Sequence, residues 1–219
     1  MSHASAIKTH LLRRLAASDA RTSPYAHWLL NDALPRDTAA AIRDLPLAVP
    51  EIADTEGKRE THNALRAFFS TENQSRFAVC RDVAETLQAP DTIAALECLT
   101  GVQLAGSYLR IEHCQDTDGF WLEPHTDIGA KLFTLLIYLS EGPGCETWGT
   151  DIYDAERNHL GATPYGFNKG LIFVPGENTW HGFERRPIGA VRKSIIVNYV
   201  KDEWRARQEL AYPDRPVAT

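Results

Sequence analysis

The chain is poor in cysteine, and its four thiols are scattered. Cys80, Cys98, Cys114 and Cys145 are never closer than 16 residues, so there is no CxxC pair and no zinc-knuckle spacing. Four cysteines in 219 residues do not make a disulfide framework. Free thiols in a reducing cytosol are the expectation, and with them a cytoplasmic location. Long apolar runs are missing too. A membrane helix needs about 18 consecutive apolar residues, and the best runs here, 132–139 and 194–200, are strand-sized. No membrane partner is expected. The N-terminus has no secretory apolar core, because Leu11-Leu12 is broken at once by Arg13-Arg14. Residues 1–18, basic and acid-free, read instead as an amphipathic first helix. Positive charge is in deficit: 23 Lys and Arg against 29 Asp and Glu give a formal net charge of −6. A sequence-independent nucleic-acid binder needs a basic face that releases counterions. No basic patch with interleaved aromatics exists, so no nucleic-acid partner is expected. The 14 Gly and 12 Pro follow no period, which excludes collagen-like and low-complexity chains.

What is present is an ordinary globular composition, 43% hydrophobic and 24% charged. The first hundred residues read as helical. Ile7, Leu11, Leu12 and Leu15 recur at helical spacing. Asp37 reads as the cap of a helix ended by Pro46. A further helix is expected from Ser75 or Arg76 to Leu87, and Asp91 reads as the cap of one over 92–99, with Gly101 at its C-terminus. The polar stretch 49–63 reads as a loop. After Gly101 the character changes to short aromatic and β-branched runs, 102–111, 119–125, 132–139, 170–174 and 191–200, separated by Gly, Pro and Asp clusters. That pattern means a sandwich or barrel. The expectation is a mainly β chain with N-terminal helices (α+β). It is organised as one domain over 1–219: a helical support region over 1–100, a β core over 101–200 and a C-terminal extension over 201–219.

The strongest chemical signal is His125-Thr126-Asp127, followed 54 residues later by His181. Residues two apart on an extended chain share one face of a sheet. At a strand end, His125 and Asp127 can grip one ion, and His181 from a distant strand completes two imidazoles and a carboxylate. Three ligands on one face leave three open positions, the arrangement of non-haem Fe(II) oxygenases. Zinc also accepts such donors. The second signal is the strand beginning Val191-Arg192-Lys193-Ser194, on which Arg192, Ser194, Ile196 and Asn198 share a face. An inward Arg is costly unless it meets an anion, and its fork suits a carboxylate, with a Ser hydroxyl beside it as a further donor.

The ordered set His125-x-Asp127, His181 and Arg192-x-Ser194 resembles the Fe(II)/2-oxoglutarate-dependent dioxygenase superfamily, in its compact prolyl-hydroxylase-like branch. The resemblance spans Leu104 to Tyr199, nearly half the chain. Tyr108-x-Arg110, the run Thr134-Leu135-Leu136-Ile137-Tyr138-Leu139-Ser140, Gly149-Thr150 and His181-Gly182-Phe183 are also similar to that family's text. The resemblance implies a double-stranded β-helix (jelly roll) with helices packed on one face. It implies His125, Asp127 and His181 as iron ligands. It implies Arg192, helped by Ser194 and Tyr138, as partners of the distal carboxylate of 2-oxoglutarate, with Thr134 in the same pocket. Dioxygen is the third reactant, and succinate and CO2 are released. Because Asp127 stands where the family's halogenases carry a small residue, hydroxylation or another oxidative outcome is implied rather than halogenation.

Substrate residues are expected around the barrel mouth. Glu123 and Trp121 share strand parity with His125, Asn198 shares it with Arg192, and Tyr108 and Arg110 precede the motif. Arg59, His62 and Asn63 place the 49–63 loop as a candidate lid. With so little chain beyond the barrel, a small-molecule or amino-acid-type substrate is expected. The alternatives are a cupin-like metalloenzyme that does not use 2-oxoglutarate, and a non-catalytic jelly-roll binding module.

Overall fold

The computed structural model describes residues 2–59 and 66–218. Helix α1 (His3–Ala16) buries Ile7, Leu11 and Leu15 along one stripe, and the Ser2 hydroxyl caps it by accepting the Ser5 N–H at 3.2 Å. Two short strands follow, β1 (Asp19–Arg21) and β2 (His27–Leu30). Helix α2 (Arg36–Arg43) starts at Pro35 rather than at an Asp37 cap. Asp37 lies in its first turn, where its charge complements the helix dipole.

The helix expected from residue 75 or 76 begins later. Strand β3 (Ala67–Phe68) leads into a short helix α3 (Thr71–Arg76), which stops where Phe77 turns extended, and α4 (Ala78–Gln88) starts there. Helix α5 (Pro90–Thr100) begins on proline, whose missing N–H costs nothing at a first position. It ends at Gly101 with φ 75°, whose N–H returns to the Glu97 carbonyl.

The C-terminal half supplies β4 (Tyr108–Asp116), β5 (Leu122–His125), β6 (Lys131–Tyr138), β7 (Asp151–Tyr153), β8 (His159–Ala162), β9 (Gly170–Phe173), β10 (His181–Phe183) and β11 (Arg192–Val200). They form two antiparallel sheets. The larger runs β1-β2-β9-β6-β11-β4-β3 and the smaller β5-β10-β7-β8. In each sheet, strands far apart in sequence are neighbours, the order of a double-stranded β-helix. β1, β2 and β3 extend the larger sheet with chain from the N-terminal half.

Strand alternation sorts the core into two layers. Leu135, Ile137, Ile195, Val197 and Tyr199 pack outward with Ile7, Leu11, Val83, Leu87 and Ile93 of the helices, and the Tyr199 hydroxyl donates to the Leu87 carbonyl at 2.6 Å. Leu136, Tyr138, Leu171 and Phe173 face the other way and pack with Phe183 of the smaller sheet. The helices thus back one face of the larger sheet and leave the space between the sheets for a site. All four cysteines are free thiols, Cys98 alone exposed. No helix among the described residues is long and apolar enough to cross a membrane.

Candidate active site

Antiparallel pairing places His181, the first residue of β10, directly opposite His125, the last of β5. Their rings lie 4.5 Å apart. Each Nδ1 is within reach of the carbonyl two residues back, Glu123 at 2.8 Å for His125 and Thr179 at 2.9 Å for His181. A carbonyl only accepts, so each Nδ1 carries the proton and each Nε2 keeps its lone pair for a ligand. Burial pushes the His181 pKa down to about 4, against the pull of Asp127, so the ring is a neutral donor.

Asp127 follows where the strand ends. Its Oδ1 accepts from Lys131 Nζ at 2.5 Å and its Oδ2 from Thr134 Oγ1 at 2.8 Å. Burial alone would raise its pKa, but Lys131, His181 and the two hydrogen bonds outweigh it and hold the carboxyl well below the usual range. Donor atoms of His125, Asp127 and His181 lie within 4.8 Å of one another. Two neutral imidazoles and one ionised carboxylate fit a divalent transition ion. A second group, Asp151, His159 and Glu184, also meets that distance. There Asp151 is already held by His159, Arg186 and the Glu184 N–H, which reads as a structural ion cluster.

The three donors open into a cavity of about 410 Å³ between the sheets, whose lining also includes Arg192, Ser194, Thr134 and Thr150. Arg192 is buried. Its Nε donates to the Trp148 carbonyl at 2.9 Å and its Nη1 to Asp116 Oδ2 at 2.5 Å. Its guanidinium lies 4.5 Å from the Phe183 ring and 6.0 Å from that of Tyr138. The Tyr138 hydroxyl, wholly buried, meets Thr150 Oγ1 and Thr163 Oγ1, each at 2.8 Å.

Strand β4 turns charge, not hydrocarbon, into this space. Asp116, shared by Arg192, also faces Arg59 Nη1 at 3.5 Å. Glu112 takes a two-pronged contact from Arg66 at 2.8 and 2.5 Å and one from Arg110 at 3.0 Å. Burial opposes ionisation of Glu112, but these guanidiniums outweigh it and keep its pKa far below normal. Arg110 also donates to Glu209 at 2.6 Å and to Asn198 Oδ1 at 3.2 Å. Each carboxylate is therefore shared by several cations, as buried charges require.

The other expected residues divide. Glu123 is exposed at the cavity edge and Arg110 lines the cavity from its buried position. Asn198 is fully buried, its amide spent on Arg110, Thr134 and the Phe133 carbonyl. Trp121 donates to Asp54 and stacks under Arg185; Tyr108 lies under Arg207. These three do not line the cavity. Of the candidate lid, Arg59 lines the cavity, resting on Phe120 at 4.8 Å; His62 and Asn63 lie outside the described residues. Residues passed over in the sequence are Lys131 and Asp116. Asp116 had a visible signal: Arg110, Glu112 and Asp116 fall on one parity of a strand, a charged row facing inward. Lys131, four residues beyond Asp127, had none.

A jelly roll carrying two histidines and a carboxylate at one end of its smaller sheet is the class of site defined so far. No family model and no curated protein matches the chain. Solved structures do. A prolyl hydroxylase from Trichoplax adhaerens, in complex with a hypoxia inducible factor oxygen degradation domain peptide fragment, matches with a TM-score of 0.56 at 13% identity over 91% of each chain. A prolyl-4-hydroxylase of Pseudomonas putida matches with a TM-score of 0.53 at 14% identity, over 89% of this chain and 95% of that one. Prolyl 4-hydroxylases from Phytophthora capsici give 0.61 at 10% identity, over 94% and 68%. At such identities the likeness is one of fold. The chain has the prolyl-hydroxylase fold.

Proposed function

We propose that the chain is a non-haem Fe(II)/2-oxoglutarate-dependent oxygenase that hydroxylates a small-molecule or amino-acid-type substrate. The observation that carries this reading is the convergence of His125, Asp127 and His181, with donor atoms within 4.8 Å, on a cavity that also holds the buried Arg192. When bound, Fe(II) with 2-oxoglutarate and dioxygen supplies the oxidising power, and the keto acid leaves as succinate and CO2. The chain does the rest. His125 and His181 present Nε2, fixed by their Nδ1 bonds to backbone carbonyls. Asp127 adds the negative charge. Arg192 and Ser194 receive the distal carboxylate of the co-substrate, and Tyr138, tied to Thr150 and Thr163, supports the guanidinium from the side. Leu136, Phe183 and Ile196 keep the inner wall apolar, so charge placed there is little screened. Glu123 at the mouth suits a cationic or hydroxylated substrate group.

A second reading, a metalloenzyme that does not use 2-oxoglutarate, draws on the Arg192–Asp116 pair, which already gives the guanidinium an anion. Sharing of Asp116 with Arg59, at 3.5 Å, favours the first: Arg192 does not have that carboxylate to itself. The test is succinate release from 2-oxoglutarate across a panel of free amino acids and small hydroxy acids. Substrate-stimulated release that is lost in Asp127→Ala is expected. Full activity in Asp127→Ala would overturn the proposal.

A further inference from the structure

Three residues on three neighbouring strands form a single row. Asn198 of β11 is the register partner of Arg110 on β4 and of Thr134 on β6. All three are buried. Arg110 Nη1 lies 3.2 Å from Asn198 Oδ1, Asn198 Nδ2 lies 2.9 Å from Thr134 Oγ1, and Thr134 Oγ1 lies 2.8 Å from Asp127 Oδ2.

Chemistry allows one direction of donation through this row. A guanidinium only donates, so the Asn198 oxygen must face Arg110 and its amide nitrogen must face Thr134. That nitrogen only donates, so the Thr134 oxygen accepts from it. The Thr134 proton is then directed to the Asp127 carboxylate, which only accepts. The far end is clamped. Arg110 is held by Glu112 at 3.0 Å and Glu209 at 2.6 Å, between the rings of Phe68 at 4.7 Å and Trp204 at 5.1 Å.

We propose that Arg110, Asn198 and Thr134 are positioning residues: a one-way hydrogen-bond relay that fixes the plane of the Asp127 carboxylate for metal ligation. This rests on the metal reading of His125, Asp127 and His181. The relay assigns Asn198 and Thr134 to the metal ligand rather than to substrate or co-substrate. Each bond in it polarises the next in the same sense, and buried partners of a ligating carboxylate tune affinity as the ligands themselves do.

The test is Mn(II) affinity of the full chain, read from the electron paramagnetic resonance signal of free Mn(II), without turnover. Thr134→Val removes the hydroxyl at constant shape. Asn198→Asp keeps the shape and the Arg110 contact, but its carboxylate only accepts and so claims the Thr134 proton. Each variant should bind Mn(II) about 10- to 100-fold more weakly, and the double variant should be no weaker than the worse single, because both break one chain. Thr134→Ser, which keeps the donor, should stay within about threefold of wild type. The relay is overturned if Thr134→Val or Asn198→Asp binds like wild type, or if the variants only lower the urea midpoint of the metal-free protein. Multiplying losses in the double variant would overturn it as well. A wild-type chain that binds no Mn(II) would refute the metal reading along with the relay; wild-type binding with unaffected variants would refute the relay alone.

Discussion

Replacing Arg192 by methionine separates what the buried guanidinium does for the fold from the co-substrate contact proposed for it. Arg192 and Asp116 are both buried, 2.5 Å apart. Removing one partner of such a pair leaves an uncompensated charge and costs roughly 3–5 kcal/mol of stability. Arg59, at 3.5 Å from Asp116, absorbs part of that charge, so the lower end of the range applies. Loss of a desolvated guanidinium–carboxylate contact with 2-oxoglutarate costs about 2–5 kcal/mol of binding, a factor of roughly 30 at the least. In the double variant Arg192→Met/Asp116→Leu the buried charges go together, and stability returns towards wild type. The binding loss does not return, because the fork for the carboxylate is still missing. Urea unfolding and the half-saturating concentration of 2-oxoglutarate, measured on wild type, single and double variants, give both quantities. A double variant that regains both stability and co-substrate affinity would refute the assignment of Arg192, and so would a single variant with an unchanged 2-oxoglutarate requirement.

Other outcomes follow from individual contacts. His113 of β4 is buried against α2 with its Nε2 3.1 Å from the Ile42 carbonyl, and burial pushes its pKa down from 6.5 to about 4. The unfolded chain then binds the proton that the folded chain refuses. Stability is full above pH 6.5 and falls as pH drops towards 4, by about 3 kcal/mol from this residue. His113→Gln should flatten that slope in urea titrations, and an unchanged slope would remove His113 as its source. A Cβ on Gly182 would lie 2.9 Å from the Leu122 carbonyl and 3.2 Å from that of Glu123, between the two histidine strands. Gly182→Ala should therefore push β10 off β5, costing roughly 1–3 kcal/mol and weakening metal binding. Unaltered unfolding and Mn(II) affinity would show that the strands have slack.

The candidate metal donors and the major strands were legible because they rest on local rules. His125 and Asp127 share parity on a strand end, and β6, β9 and β11 announce themselves as β-branched runs bounded by turns. The helix faces of Ile7, Leu11 and Leu15 follow from spacing alone. What was hidden depends on distant partners. β1, β2 and β3 are two to four residues long and exist because β9 and β4 offer open edges. β7 and β8 are equally short. Asp37 and Asp91 both look like caps, but Pro35 and Pro90 with their fixed φ set the helix starts. Lys131 could not be placed, since an ion pair to Asp127 four residues back across a turn leaves no periodic trace. Asp116 sits in the charged parity row of β4, but its pairing with Arg192 depends on the register of β11 against β4. Asn198 was picked out by parity and Thr134 by the family resemblance, yet their bonding to one another is a matter of register.

Anaerobic titration of Fe(II)-loaded protein with 2-oxoglutarate, followed by visible absorption, addresses the proposed chemistry most directly. A weak metal-to-ligand charge-transfer band should grow in wild type, saturate, and fail to appear in His125→Ala. It should need far more 2-oxoglutarate in Arg192→Met. Iron demonstrably bound with no band at saturating 2-oxoglutarate would contradict the proposed co-substrate and favour a metalloenzyme of another kind.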